Sequence, residues 1–336
     1  MSDDKIFLTY NRQMKKLRKD KKINCSGTPH KTALVRSGYF NIINGYKMPF
    51  TCGFDTSGNH IYFPDTSLDQ IYQLKKFDES LRSLLLKYIT QVEEEVRTLT
   101  GYKFDQCNDN GKIPWYETNA YSPRATLQAK MNTISSAYSE LSKSKSEYVK
   151  FYMNNHEQIP TWIMIKVVNF STFINVLNNS KQNVTHSICK LYSMYDNNNK
   201  PNIKLLIGSL HWLRKVRNSC AHNERIYCIR QTQVRNNTAS GRILDPYYTE
   251  LPPSYSRCTE KNIFDLLIYF KYFLPKEEYS SMISELKTML HNLQNNLIPN
   301  AFDNVRGQMG IKNLSILDTV INLPKNKIEY HKFDTL

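Results

Sequence analysis

From Leu81 to Leu99 apolar residues return at steps of three and four: Leu81, Leu84, Leu85, Tyr88, Ile89, Val92, Val96 and Leu99. That spacing is the stripe of an amphipathic helix; a strand would alternate at every residue. Glu93 and Arg97 sit four apart on it and are read as a surface ion pair. More helical text surrounds this one. A helix is predicted over about 124–150. Pro160 opens another, suited to a first turn because it needs no N–H there, with Trp162, Ile165, Phe170, Phe173, Ile174 and Leu177 as its apolar set and Trp162 as a core anchor. Helical spacing resumes at Ile203, passes through Leu206, Leu210, Leu213 and Val216, and runs on past His222. Two more helices are predicted near 261–273 and 276–296. The polar stretch 231–260, with Gly241, Pro246, Pro252 and Pro253, reads as an irregular excursion.

Before the first stripe the text changes. From Thr32 to about Pro64 it is aromatic and broken by glycine, and Ser57-Gly58-Asn59 between Phe54 and Ile61 supplies the positive φ that a tight hairpin turn needs. The organisation expected is a basic N-terminal arm over 1–30, a small wing over 31–65 and a helical domain over 66–336. The fold class is therefore mostly α: a helical bundle with an N-terminal aromatic, β-hairpin wing. With 336 residues, 40% hydrophobic and 12% aromatic, the chain can fill a core.

Charge narrows the partners. Lys and Arg number 45 against 30 Asp and Glu, a net +15. Arg12, Lys15, Lys16, Arg18, Lys19, Lys21 and Lys22 crowd one short segment with a single acid, Asp20. A field of this sign attracts polyanions, and nucleic acid is the first candidate; simple solubility is the alternative. Tyr10, Tyr39 and Tyr46 either stack on unpaired bases or pack within the wing. No secretory signal is visible, and the best apolar runs are broken by Lys166 and Lys271, so no membrane span is expected. Seven scattered cysteines without C-x-x-C suit reduced thiols in a cytoplasm. No glycine-rich phosphate loop, metal-ligand spacing or nucleophile elbow occurs, so neither a metal nor another cofactor is expected.

One segment carries chemistry: Leu213-Arg-Lys-Val-Arg-Asn-Ser-Cys-Ala-His-Asn-Glu-Arg-Ile-Tyr227. Arginine offers a planar, permanently charged fork for phosphate, and histidine moves its proton near neutral pH. Asn218 and His222 share a helix face, whereas Arg217 and His222 diverge by about 140°. A single helix therefore clamps nothing between them unless it bends or a second copy faces it. The plainer alternative is a basic helix end favoured by the macrodipole.

Arg217-Asn-Ser-Cys-Ala-His222-Asn-Glu-Arg225 resembles the R-N-x-x-A-H-x-x-R signature of the Abi (AbiD/AbiF-like) abortive-infection proteins, helical members of the HEPN superfamily. Further blocks resemble that family in order: Gly38-Tyr-Phe and Gly45-Tyr-Lys-Met-Pro-Phe50, Phe77-Asp-Glu-Ser-Leu-Arg82 followed by Val92-Glu93 and Val96-Arg97, Ile159-Pro-Thr-Trp162, and Gln308-Met-Gly310. The resemblance implies a HEPN-type bundle and a metal-independent endoribonuclease of prokaryotic phage defence, homodimeric, with motifs of two chains forming one site. Some relatives are encoded beside a structured noncoding RNA, which makes such an RNA an expected partner. Carried over by position, Arg217 and His222 are the catalytic pair and Asn218 the adjoining polar residue. Arg214, Lys215 and Arg225 join the N-terminal cations as expected RNA contacts. Some HEPN toxins carry a modifiable tyrosine two residues after the histidine; this chain has Glu224 there. The alternatives are a non-catalytic RNA-binding protein and a protein-interaction bundle.

Overall fold

The basic N-terminal residues form α1 (Tyr10–Asp20), begun by Thr9, whose hydroxyl accepts from the Arg12 N–H. The structure, a computed structural model, describes residues 7–232, 246–256 and 260–336. Helix α1 buries Met14 and Leu17 and turns Arg12, Lys15, Lys16, Arg18 and Lys19 outward. It packs on α2 (Gly27–Ser37). A π-helical turn, Phe40–Asn44, then buries Ile42 and Ile43 and leaves Phe40 outside. The predicted hairpin follows: β1 (Thr51–Phe54) pairs antiparallel with β2 (His60–Tyr62), Thr51 opposite Tyr62 and Phe54 opposite His60. Gly58 sits in its turn at φ 78°.

The stripe from Leu81 belongs to α3 (Leu68–Gln106), a 39-residue helix started by a Ser67/Gln70 capping box. Its apolar face is buried against four later helices, Thr161–Val167, Gln182–Leu191, Ile203–Ala221 and Lys276–Asn296. The helix predicted over 124–150 is two, α4 (Leu127–Ser142) and α5 (Glu147–Asn155). The helix opened by Pro160 is also two, α6 (Thr161–Val167) and α7 (Phe170–Asn179). Asn169 causes the break. Its side chain caps α7 by accepting from the Thr172 N–H at 3.0 Å, and its own donors bind the Glu140 carboxylate of α4 at 2.5 Å. Trp162 is not a core anchor. It is 53% exposed, edge-on to Tyr152, while Ile163, Met164 and Ile165 take the buried positions.

Helix α8 (Gln182–Leu191) is an element the spacing does not announce. Helix α9 (Ile203–Ala221), capped by Asn202, stops at Ala221 instead of running past His222. Beyond it, β3 (Gln231–Thr232) pairs antiparallel with β4 (Glu260–Lys261). Between these strands lie two short helical turns, Pro246–Thr249 and Pro253–Ser256. The rest of the excursion, Gly241 included, lies outside the described residues. Helices α10 (Ile263–Phe273) and α11 (Lys276–Asn296) match the predicted spans closely, and α12 (Pro299–Gln308) and α13 (Ser315–Asn322) follow. Gly310, at φ 81°, passes so close to Asn262, the cap of α10, that any Cβ there would overlap the Asn262 side chain. No helix among the described residues is long and apolar enough to cross a membrane.

Candidate functional site

Helix α9 ends in a Schellman turn. Asn223 takes the left-handed conformation at φ 55°, its N–H donates to the Cys220 carbonyl at 3.2 Å, and the Glu224 N–H reaches back to the Ser219 carbonyl at 3.0 Å. His222 is the residue at which the helix stops, with φ −92° and ψ 11°. His222 still donates its N–H to the Asn218 carbonyl at 3.0 Å and so closes the last helical turn; it is exposed there, and Arg217, five residues back on the helix, has a side chain 41% exposed. The Glu224 carboxylate accepts from the Ser219 hydroxyl at 2.5 Å, tying the turn to the helix it terminates.

A buried carboxylate holds the far side of that turn. Asp78 of α3 is fully shielded and accepts from the backbone N–H groups of Ile226 at 3.0 Å and Tyr227 at 2.8 Å, from the Tyr46 hydroxyl at 2.8 Å and from Arg82 at 2.8 Å. Arg82 also donates to the Glu224 carbonyl at 3.2 Å. Burial pushes the Asp78 carboxyl above the usual carboxylate range, while these donors pull it back. Burial and the neighbouring Asp78 both push the Tyr46 phenol up. Arg225 closes the arrangement by donating to the Gly45 carbonyl at 2.7 Å. Tyr46 is thus a packing and bracing residue of the wing, not a surface for bases.

Glu93 and Arg97 brace the other end, and they are not a surface pair. Arg97 is 9% exposed. It donates to the Ile165 and Val168 carbonyls at 2.6 and 2.9 Å, groups freed by the α6–α7 break, and lies over the Phe173 ring at 4.8 Å. One Glu93 oxygen receives Arg97 at 2.7 Å; the other stands 3.7 Å from the Arg217 guanidinium. Burial pulls the Arg97 guanidinium below its ordinary value, and Arg217 adds to this against the attraction of Glu93.

Arg217 and His222 line different clefts that adjoin along α9. Arg217 lines a cleft of about 490 Å³ with Glu93, Arg97 and Lys166. His222 lines a neighbouring cleft of about 310 Å³ with His211 and Lys215, and a larger one on the wing side. Asn218 and Arg214 line both of the first two, and the buried Arg214 Nε has no partner among the described residues. Lys215 is engaged, donating to the Arg230 carbonyl at 2.7 Å. The α1 cations line none of these clefts; Arg18 donates to the Cys25 carbonyl at 2.8 Å. Lys21 lies over the Tyr62 ring at 5.9 Å, and burial lowers its ammonium below the ordinary value. Lys22 is exposed just past α1. No three His, Cys, Asp or Glu side chains among the described residues gather as a metal site would require.

Asp78, Arg82 and Glu224 have roles that composition and spacing do not disclose. Asn223 was missed as well, although Asn directly after a basic helix end is a common left-handed stop and could have marked it. Fold and site together define a mostly helical protein with a basic, solvent-facing helix end clamped by a buried ion-pair network. The family model of the Abi-like proteins matches residues 32–228, from the wing through the braced turn, and the chain belongs to that family. Membership links it to abortive infection, a phage-defence response. Comparisons with curated proteins and with solved structures find no match.

Proposed function

We propose that the chain is a HEPN-type endoribonuclease in which Arg217 and His222, contributed by two copies, cut RNA without a metal ion. The observation that supports this most is a contrast in burial: the Arg217 side chain on α9 and the His222 side chain at its end stay open to solvent, while the backbone just beyond His222 is pinned by the buried Asp78 and Arg82. A site meant to act on an incoming polyanion needs that combination of fixed backbone and free head groups. In the reaction the 2′-oxygen of a ribose attacks the adjacent phosphorus and the 5′-oxygen leaves. The proton lost by the 2′-hydroxyl goes to a base and another reaches the departing oxygen; His222 serves one of these transfers. Arg217 stabilises charge on the phosphate oxygens, and Asn218, between the two clefts, offers its amide to the same group. The products are a 2′,3′-cyclic phosphate and a 5′-hydroxyl.

Purified protein should release those ends from RNA in the presence of EDTA and behave in light scattering as a dimer of about twice 39.4 kDa. A strictly monomeric, fully active species would contradict the shared site. A second reading, a non-catalytic holder of a structured noncoding RNA, is favoured by the separation of Arg217 and His222 into different clefts of one chain. Sequencing the RNA that co-purifies separates them: one dominant intact species with no cleavage in vitro fits the holder.

A further inference from the structure

On the wing side of His222 lies a cleft of about 920 Å³, near the upper end of the range for small-ligand sites, about 300–1,000 Å³. Its walls come from three distant stretches: the π turn after α2, the first turns of α3 and the braced turn after α9. Five Lys and Arg side chains line it against two Glu. Glu224 is occupied by the Ser219 hydroxyl, and Glu79 pairs with Lys75 and Lys76; the Lys76 side chain is 49% exposed, so a phosphate can reach it in exchange for that surface pair. Arg36 is exposed and has no hydrogen-bond or ion-pair partner among the described residues.

Three aromatic rings line this cationic setting, Phe40, Tyr46 and Tyr72, and of them only Phe40 is exposed, Tyr46 being buried and Tyr72 half-buried. Phe40 is 72% exposed, because the π turn that buries Ile42 and Ile43 swings it out. Irregular helical turns of this kind are frequent at functional sites. The exposed amides of Asn41 and Asn44 line the same cleft and can both donate and accept. A protein partner would find one exposed apolar ring among charges, a poor match for an interface core. An unpaired nucleotide would find a stacking face, amides for its base edge and cations for its phosphates.

We propose that this cleft seats an unpaired RNA segment beside the cut, one base stacked on Phe40 and the flanking phosphates met by Arg36 and Lys76. The inference rests on the ribonuclease reading of His222. It separates a seat for the strand at the site from the general attraction of α1.

The test uses the full-length His222→Ala chain and anisotropy titrations of a fluorescein-labelled unstructured RNA, alone and annealed to its complement. The single strand should bind tighter than the duplex. Adding Phe40→Ala should weaken single-strand binding at least about fivefold, the low end for losing one base–aromatic stack, without changing the salt slope. Adding Arg36→Gln with Lys76→Gln should weaken it and lower the slope by about 1.4, at about 0.7 per phosphate. Phe54→Ala, on the equally exposed hairpin outside the cleft, should leave binding unchanged. Wild-type affinity in both cleft variants, while the unaltered chain still cuts RNA, overturns the seat and leaves the ribonuclease reading standing. An equal loss in Phe54→Ala overturns it too. Absence of both RNA binding and cutting overturns both readings together.

Discussion

Arg82 and Arg97 lie on one helix, are each 9% exposed, and each pairs with a carboxylate four residues upstream. Their surroundings make them different devices. Beside Arg82, both oxygens of Asp78 are filled by donors, two of them backbone N–H groups of the turn beyond His222. Beside Arg97, one Glu93 oxygen has no hydrogen bond among the described residues and stands 3.7 Å from Arg217, longer than a hydrogen bond. In the first pair the carboxylate is the anchor, taking up backbone N–H groups. In the second the arginine is, taking up the freed Ile165 and Val168 carbonyls, which leaves one carboxylate oxygen as a tether. The turn carrying His222 is set before any ligand arrives, while Arg217 is held nearby and left free to reach a phosphate.

The largest effects expected are on cleavage. His222→Ala should lower the rate by roughly 10²–10⁴ and Arg217→Ala by roughly 10²–10³, each with an unchanged melting temperature. A loss of stability in either would break the contrast between free head groups and buried braces. Asp78→Ala should do the reverse: it strands Arg82 and the Ile226 and Tyr227 N–H groups, at a cost of roughly 3–5 kcal/mol in denaturant unfolding. An Asp78→Ala protein as stable as wild type would show that the anchor is ornamental.

Glu93→Gln probes the tether. It should cost about 1–2 kcal/mol, the difference between charge-assisted and neutral hydrogen bonds at Arg97, and slow cleavage less than Arg217→Ala does. If it is as inactive as Arg217→Ala, Arg217 is fixed by Glu93 rather than merely kept close. The smallest effect is expected from α1. Replacing Lys15, Lys16 and Lys19 by Gln should leave cleavage of saturating RNA intact and lower the salt slope of binding by roughly 0.7–0.9 for each phosphate contact removed. Arg18 stays in this design because it holds the Cys25 carbonyl. An unaltered slope would assign the α1 face to solubility.

Much of the site was legible as text and little of it as geometry. The Arg217–His222 stretch stood out by composition, and Phe77–Arg82 and Gly45–Phe50 stood out as blocks. That these blocks clasp one another, Asp78 to the Tyr227 N–H and Arg225 to the Gly45 carbonyl, depends on contacts between residues 149 and 180 positions apart. Glu93–Arg97 was misjudged for the same reason: an i,i+4 pair looks alike whether solvent or the Ile165 and Val168 carbonyls lie beyond it. Trp162 failed differently. Helix α6 buries Ile163, Met164 and Ile165, more than half its circumference, and Trp162 falls on the remaining outer side, which apolar spacing alone does not single out.

What the sequence by itself determined is therefore local: the helices α3, α10 and α11, the hairpin around Gly58, and the place where a cationic helix end meets a histidine. Period and turn chemistry act over a few residues, and a few residues suffice to read them. The tertiary structure alone decided where α9 stops in space, which carboxylate is buried, and which cations remain free. Those depend on desolvation and on which backbone groups lack a partner, and both are set only when distant segments close around the same point.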